Sequence, residues 1–101
     1  MKRYIISPQA KNDIADIRAY LKREAGPDIA KSTVNKIKEA FALLSGAPGA
    51  GHSREDLTSE AVKFWTVFSY LIIYNPAPRP IEIVRVLHGS RNIAAISLSD
   101  D

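Results

Sequence analysis

The apolar positions of this chain recur at helical spacing in its first half and at strand spacing in its second. After a short β-branched and aromatic segment, Arg3-Tyr4-Ile5-Ile6, which predicts a strand, Ser7-Pro8 marks a helix start. The serine hydroxyl can accept one of the orphan N–H groups of the first turn, and proline at the first helical position sacrifices no hydrogen bond. Ala10, Ile14, Ile17 and Leu21 then follow in a 4-3-4 rhythm that lines one helical face, with Lys11, Arg18 and Lys22 off that stripe. Gly26-Pro27 stops the helix and permits a tight reversal. A second helix starts near Asp28, a charge favourable at its N-terminus, and its stripe is Ala30, Val34, Ile37, Phe41 and Leu44. Two amphipathic helices joined this closely predict an antiparallel hairpin.

Residues 45–58 hold three glycines and a proline without periodicity and read as a long loop. Beyond it, three runs of strand length follow: Val62 to Val67, Tyr70 to Tyr74 and Ile81 to Leu87. The proline-rich stretch Asn75 to Pro80 between the last two cannot occupy a central strand and reads as a hairpin loop. In the last run, Ile81, Ile83 and Arg85 are expected on one face, and Glu82, Val84 and Val86 on the other. The Phe68-Ser69 turn lacks the Gly or Asn usual in tight hairpins, so strand register there is left open. The expected fold is α+β, in the order β-α-α-β-β-β, with an antiparallel sheet packed against the helical hairpin. A single domain over residues 1–101 is expected, with a loosely ordered tail over 93–101.

Composition narrows the chemistry. A chain of 101 residues with 46% hydrophobic and 25% charged residues is an ordinary globular domain. It has no cysteine, which excludes disulfides, thiol catalysis and Cys-based zinc sites, and its two histidines 36 positions apart argue against a dedicated zinc site. No apolar run approaches the ~20 residues of a membrane span, and the N-terminus is too short in apolar residues for a secretory leader, so a cytoplasmic protein is expected. Fourteen basic and eleven acidic side chains give +3, and the split is more telling than the sum. Residues 1–50 carry nine basic and five acidic groups, residues 51–101 five and six. The helical half thus presents a basic surface suited to an acidic partner.

Three segments resemble the ParE/RelE superfamily of small bacterial toxins, and the ParE branch in particular. They are Tyr4 to Ile14, with its Ser-x-x-Ala-x-x-Asp-Ile start; Arg54-Glu55-Asp56-Leu57 ahead of Val62-Lys63-Phe64-Trp65; and Tyr70 to Tyr74 followed by Ile81 to Asn92, with Arg85-Val86-Leu87-His88 and Arg91. The similarity spans residues 4–92. It implies the toxin of a type II toxin–antitoxin pair, neutralised by a ParD-like antitoxin and requiring no cofactor or metal. ParE-like members poison DNA gyrase, whereas RelE-like members cut mRNA on the ribosome, and one scaffold hosts both outcomes.

The ribonuclease alternative makes specific demands: a base, an acid and cations around the scissile phosphate. His88 suits proton transfer, with Arg85, Arg54 and Arg91 as candidate cations. On a regular strand, however, Arg85 and His88 project to opposite faces. The run Asn92-Ile93-Ala94-Ala95-Ile96 also offers no Tyr, Lys or Arg, unlike the basic cluster with a terminal Tyr or His of the ribonuclease branch. The competing reading of His88 is a strand-end residue fixing the next turn, and His52 in the glycine-rich loop reads as solvated. A non-enzymatic toxin is therefore expected, and a degenerate toxin kept only as an antitoxin-binding module is a further alternative. For antitoxin binding the candidates are Lys11, Arg18, Lys22 and Lys36, whose charge favours an acidic tail, and Trp65, a residue type enriched at interface hot spots. Asp13 and Asp16 are expected to be solvated helix residues.

Overall fold

The computed structural model describes residues 4–53, 61–77 and 79–89. Strand β1 (Tyr4–Ile6) leads into helix α1 (Pro8–Ala25) and helix α2 (Pro27–Gly46), a 3₁₀ turn at Pro48–Ala50, and strands β2 (Lys63–Val67), β3 (Tyr70–Asn75) and β4 (Ile81–His88). The loosely ordered tail expected over 93–101, together with Arg3, Arg54 and Arg91, lies outside the described residues.

Both helices form where their stripes fall. Ser7 caps α1, its hydroxyl accepting the Ala10 N–H at 3.0 Å. Only Gly26 separates the helices. Its N–H donates to the Leu21 carbonyl and its carbonyl accepts from Ala30 N, both at 3.1 Å. Its φ of 96° lies in the left-handed region that favours glycine. Ala30, Val34, Ile37, Ala40, Phe41 and Leu44 are the buried residues of α2. Each large side chain among them contributes about 1.5–3 kcal/mol by burial. That exceeds the spread of under ~1 kcal/mol in helix propensity among ordinary residues, so packing rather than propensity holds this helix.

The sheet order is β1-β4-β3-β2. The β2-β3-β4 meander is antiparallel as expected, but β1 joins β4 in parallel, with Tyr4 opposite Ile81 and Ile6 opposite Ile83. The sheet is therefore mixed rather than wholly antiparallel. A meander leaves the outer edge of β4 unpaired, and the N-terminal strand covers it. The helical crossover allows the chain to re-enter in the parallel sense.

A β-bulge interrupts the β3–β4 ladder: Ile73 pairs with Arg85 but Tyr74 pairs with Ile83, leaving Val84 extra. This overturns the expected alternation. Val86 joins Ile81 and Ile83 in the core beneath the helices, while Val84 belongs to a second cluster with Phe64, Ile73 and Leu87. The extra residue shifts the facing of everything after it.

The stretch expected as a featureless loop is partly built. Helix α2 continues to Gly46, Ala47 precedes a proline and leaves the helix, and Tyr74 staples the segment from Pro48 to Gly51. The Tyr74 hydroxyl donates to the Pro48 carbonyl at 2.6 Å and accepts from Gly51 N at 2.9 Å. A Cβ on Gly51 would lie 2.7 Å from Tyr74 Cε1, so glycine is required by close approach. His52, exposed as expected, exchanges backbone hydrogen bonds of 2.9 and 2.7 Å with Phe64, extending the sheet past β2. The β2–β3 turn has the tight register Val67 opposite Tyr70. Phe68 carries it with φ of 55° and is 66% exposed.

Candidate functional site

The centre of the α1–β4 contact is a charged lock rather than a catalytic cluster. Past Ile6 no strand of the described residues lies beside the edge of β4, and side chains from the start of α1 take over the ladder. Ser7 N donates to the Ile83 carbonyl at 3.0 Å, and Ser7 Oγ donates to the Val84 carbonyl at 2.7 Å. Asp13 Oδ2 accepts from Val86 N at 3.0 Å. The same carboxylate holds Arg85 bidentately, Nε to Oδ2 at 2.8 Å and Nη2 to Oδ1 at 3.0 Å. These hydrogen bonds to Asp13 raise the pKa of the guanidinium further, against the opposing effect of burial. The side chains are 9% and 16% exposed, so little water reaches the pair.

Asp13 is thus buried and partnered rather than solvated as expected, and its partner is 72 residues away. Ala10, fully buried, lies between it and the cap on the same turn of helix. Ser7 and Asp13 of the opening motif therefore meet Val84, Arg85 and Val86 of the closing motif, and the two signatures interlock.

Of the ribonuclease candidates, Arg54 and Arg91 fall outside the described residues, and Arg85 is committed to Asp13. His88 lies at the end of β4, its imidazole edge-on to the Tyr70 ring with centroids 5.6 Å apart and planes at 86°. It lines a cleft of about 380 Å³ with Asp13, Asp16, Ile17, Tyr20, Tyr70, Val86 and Leu87. Arg85 and His88 project to opposite faces as expected, because the bulge precedes both: Arg85 is paired with Ile73 on the far face of the sheet and His88 with Tyr70 on the helical one. The arginine nonetheless reaches back to Asp13 and is not among the cleft's lining residues. Burial, and secondarily the neighbouring Tyr20, raises the pKa of the Tyr70 phenol, which stays neutral at physiological pH.

The basic candidates divide. Arg18 and Lys22 of α1 meet Lys31 of α2 around a groove of about 190 Å³ that also includes Pro27, Ala30, Val34 and Asn35. Lys31 gains this place because it follows Ala30 of the buried stripe. Lys36 is not brought to that groove: five residues on, it sits about 140° around α2 and pairs with Glu39 at 3.8 Å. Lys11 is exposed on α1, nearer its N-terminus. Trp65 is half-buried and packs against the core beneath the helices. Among the described residues no group of three or more His, Cys, Asp or Glu side chains could hold a metal ion, and no helix is long and apolar enough to cross a membrane.

Among curated proteins none matches this sequence. Among solved structures the chain is similar to a protein of the chromosomal ParDE toxin–antitoxin system from P. aeruginosa. The TM-score is 0.73 at 20% identity, over 84% of this chain and 92% of that one, a likeness of fold. The family model described as the ParE toxin of the type II toxin–antitoxin system parDE matches residues 4–93. With that match running from β1 through both interlocking motifs, the chain belongs to the ParE toxin family.

Proposed function

We propose that this ParE-family protein is a non-enzymatic toxin that inhibits DNA gyrase in the cytoplasm and is neutralised by a ParD-like antitoxin. The observation that carries the non-enzymatic reading is the commitment of Arg85. A metal-independent ribonuclease needs a cation beside its general acid or base to stabilise the phosphorane charge. Arg85, three residues before His88, is held through two hydrogen bonds by Asp13 instead. Releasing it would leave a carboxylate buried without its charge partner, at a cost of several kcal/mol.

The antitoxin reading rests on the groove formed by Arg18, Lys22 and Lys31 across the helical hairpin. Three cations converging there attract an acidic segment and accelerate its association. Trp65, Lys11 and Lys36 extend the candidate surface, with Lys36 already engaged by Glu39.

One experiment separates the alternatives. The purified protein is added to gyrase with supercoiled plasmid and, in parallel, to translating ribosomes. Accumulation of cleaved plasmid, relieved by the antitoxin, is the expected result. Trimmed mRNA that disappears with His88→Ala would establish the ribonuclease reading instead. Neither activity, with antitoxin binding intact, would mark a degenerate binding module.

A further inference from the structure

Helix α1 carries two opposite charges on its two flanks. Lys11, Arg18 and Lys22 lie within about 40° of one another around the helix, and Asp13, Asp16 and Tyr20 cluster roughly opposite them. The basic flank turns towards α2, where Arg18 and Lys22 meet Lys31. The acidic flank turns towards the end of β4, where Asp16 and Tyr20 border the 380 Å³ cleft with Tyr70 and His88. The cleft lies at the small end of the ~300–1,000 Å³ typical of ligand pockets.

Its chemistry is specific. Asp13 is neutralised by Arg85, so the net charge of the cleft comes from Asp16, which is exposed and has no ion pair among the described residues. Among the described residues, Arg85 is directed to Asp13 and Arg18 to the groove against α2. The other walls are π-surfaces: Tyr20, 52% exposed, and the Tyr70–His88 ring pair. A second depression shares Tyr70 and His88 and continues past Leu71 to the exposed Phe68, whose backbone holds a left-handed conformation costly for an aromatic residue.

We infer that this cleft is a receptor for an arginine side chain of a protein partner, with its guanidinium against the Asp16 carboxylate and the tyrosine rings and an adjacent apolar residue beside Phe68. A carboxylate flanked by aromatic faces suits a guanidinium better than an ammonium. The planar fork stacks on rings while donating in its plane, and it is more weakly hydrated. The inference is independent of which macromolecule the toxin inhibits, because it concerns the opposite flank of α1 from the basic groove.

The test uses Nα-acetyl-arginine amide as the probe, followed by NMR of the Tyr20, Tyr70 and His88 ring resonances in the intact protein. Nα-acetyl-citrulline amide serves as the neutral isostere and Nα-acetyl-glutamate amide as the anionic control. Saturable shifts of those three rings are expected with the arginine probe, with affinity in the roughly millimolar range of a single side chain. Asp16→Asn, a change at an exposed position, should weaken binding about two- to fivefold, and Tyr20→Leu should weaken it in the same sense. Equal affinity for citrulline, unaltered affinity in Asp16→Asn, or no saturable shift at these rings would each overturn the inference.

Discussion

Replacing Asp13 by alanine removes both oxygens that hold Arg85 and the acceptor of the Val86 N–H in one step. Breaking a buried ion pair by deleting one partner costs about 3–5 kcal/mol. Arg85, at 16% exposure, retains some contact with water, which moves the expected loss towards the lower figure. The orphaned Val86 N–H adds roughly 1–3 kcal/mol unless water reaches it. A total loss of about 3–6 kcal/mol is therefore expected, a large part of the ~5–15 kcal/mol that stabilises a typical domain. It would lower Tm by at least roughly 12 °C at this chain length. Urea unfolding followed by far-UV circular dichroism measures it, with the m-value expected to stay constant. The double variant Asp13→Leu with Arg85→Met supplies the contrast. Swapping the whole pair for apolar groups avoids the stranded charge, so it should recover all but the Val86 contribution, a residual of about 1–3 kcal/mol. A loss under about 1 kcal/mol in Asp13→Ala, or a double variant no more stable than the single one, would refute the lock.

Other positions give independent tests. Tyr74→Phe removes the hydroxyl that both donates to Pro48 and accepts from Gly51, and is expected to cost about 1–3 kcal/mol in the same urea assay. Burial raises the Tyr74 pKa above 10.0, more than the Gly51 donor lowers it. The neutral phenol's contribution is thus complete below about pH 10 and is lost as pH climbs through the raised folded-state value. Alkaline unfolding should accordingly begin later in Tyr74→Phe, relative to its own neutral-pH stability, than in the parent protein. Gly51→Ala forces a methyl into the Tyr74 ring and is expected to cost about 1–3 kcal/mol by thermal denaturation. Phe68→Gly relieves the left-handed backbone at the β2–β3 turn and should raise stability by about 1 kcal/mol, since the side chain is largely exposed.

The helical hairpin was legible because its apolar period persists over several turns on both sides of Gly26-Pro27, so each turn repeats the same information. The meander was legible because its strands are separated by residues unfit for strands. The bulge at Val84 was only faintly legible: the apolar phase changes from Ile81 and Ile83 to Val84 and Val86, a break that a strand buried on both faces also shows. Its cause is tertiary, the demand that the Val84 carbonyl meet Ser7 and the Val86 N–H meet Asp13. The burial of Asp13 did leave a signal. It follows Ala10 by three positions and precedes Ile17 by four, placing it beside the apolar stripe, whereas Asp16 lies farther round towards solvent. Charge alone suggested two equivalent solvated carboxylates, while helical phase distinguishes them. The basic groove was half legible: sequence placed Arg18 and Lys22 together on α1, but only the crossing of the two helices decided that Lys31 joins them and Lys36 does not.

The union of the first strand and first helix with the last strand bears on how the protein comes into being on the ribosome. The hairpin of α1 and α2 can form early from local contacts, but the hydrogen bonds that fix it to the sheet join Ser7 to Val84 and Asp13 to Val86, spans of 77 and 73 residues. Closing such loops is slow compared with helix formation and yields no reward until both ends exist. An incomplete nascent chain ending before β4 therefore holds an exposed amphipathic hairpin with Asp13 lacking its guanidinium. The acidic-aromatic surface beside α1 takes shape only once β4 has been made and joined to it, whereas the basic groove needs the helical hairpin alone.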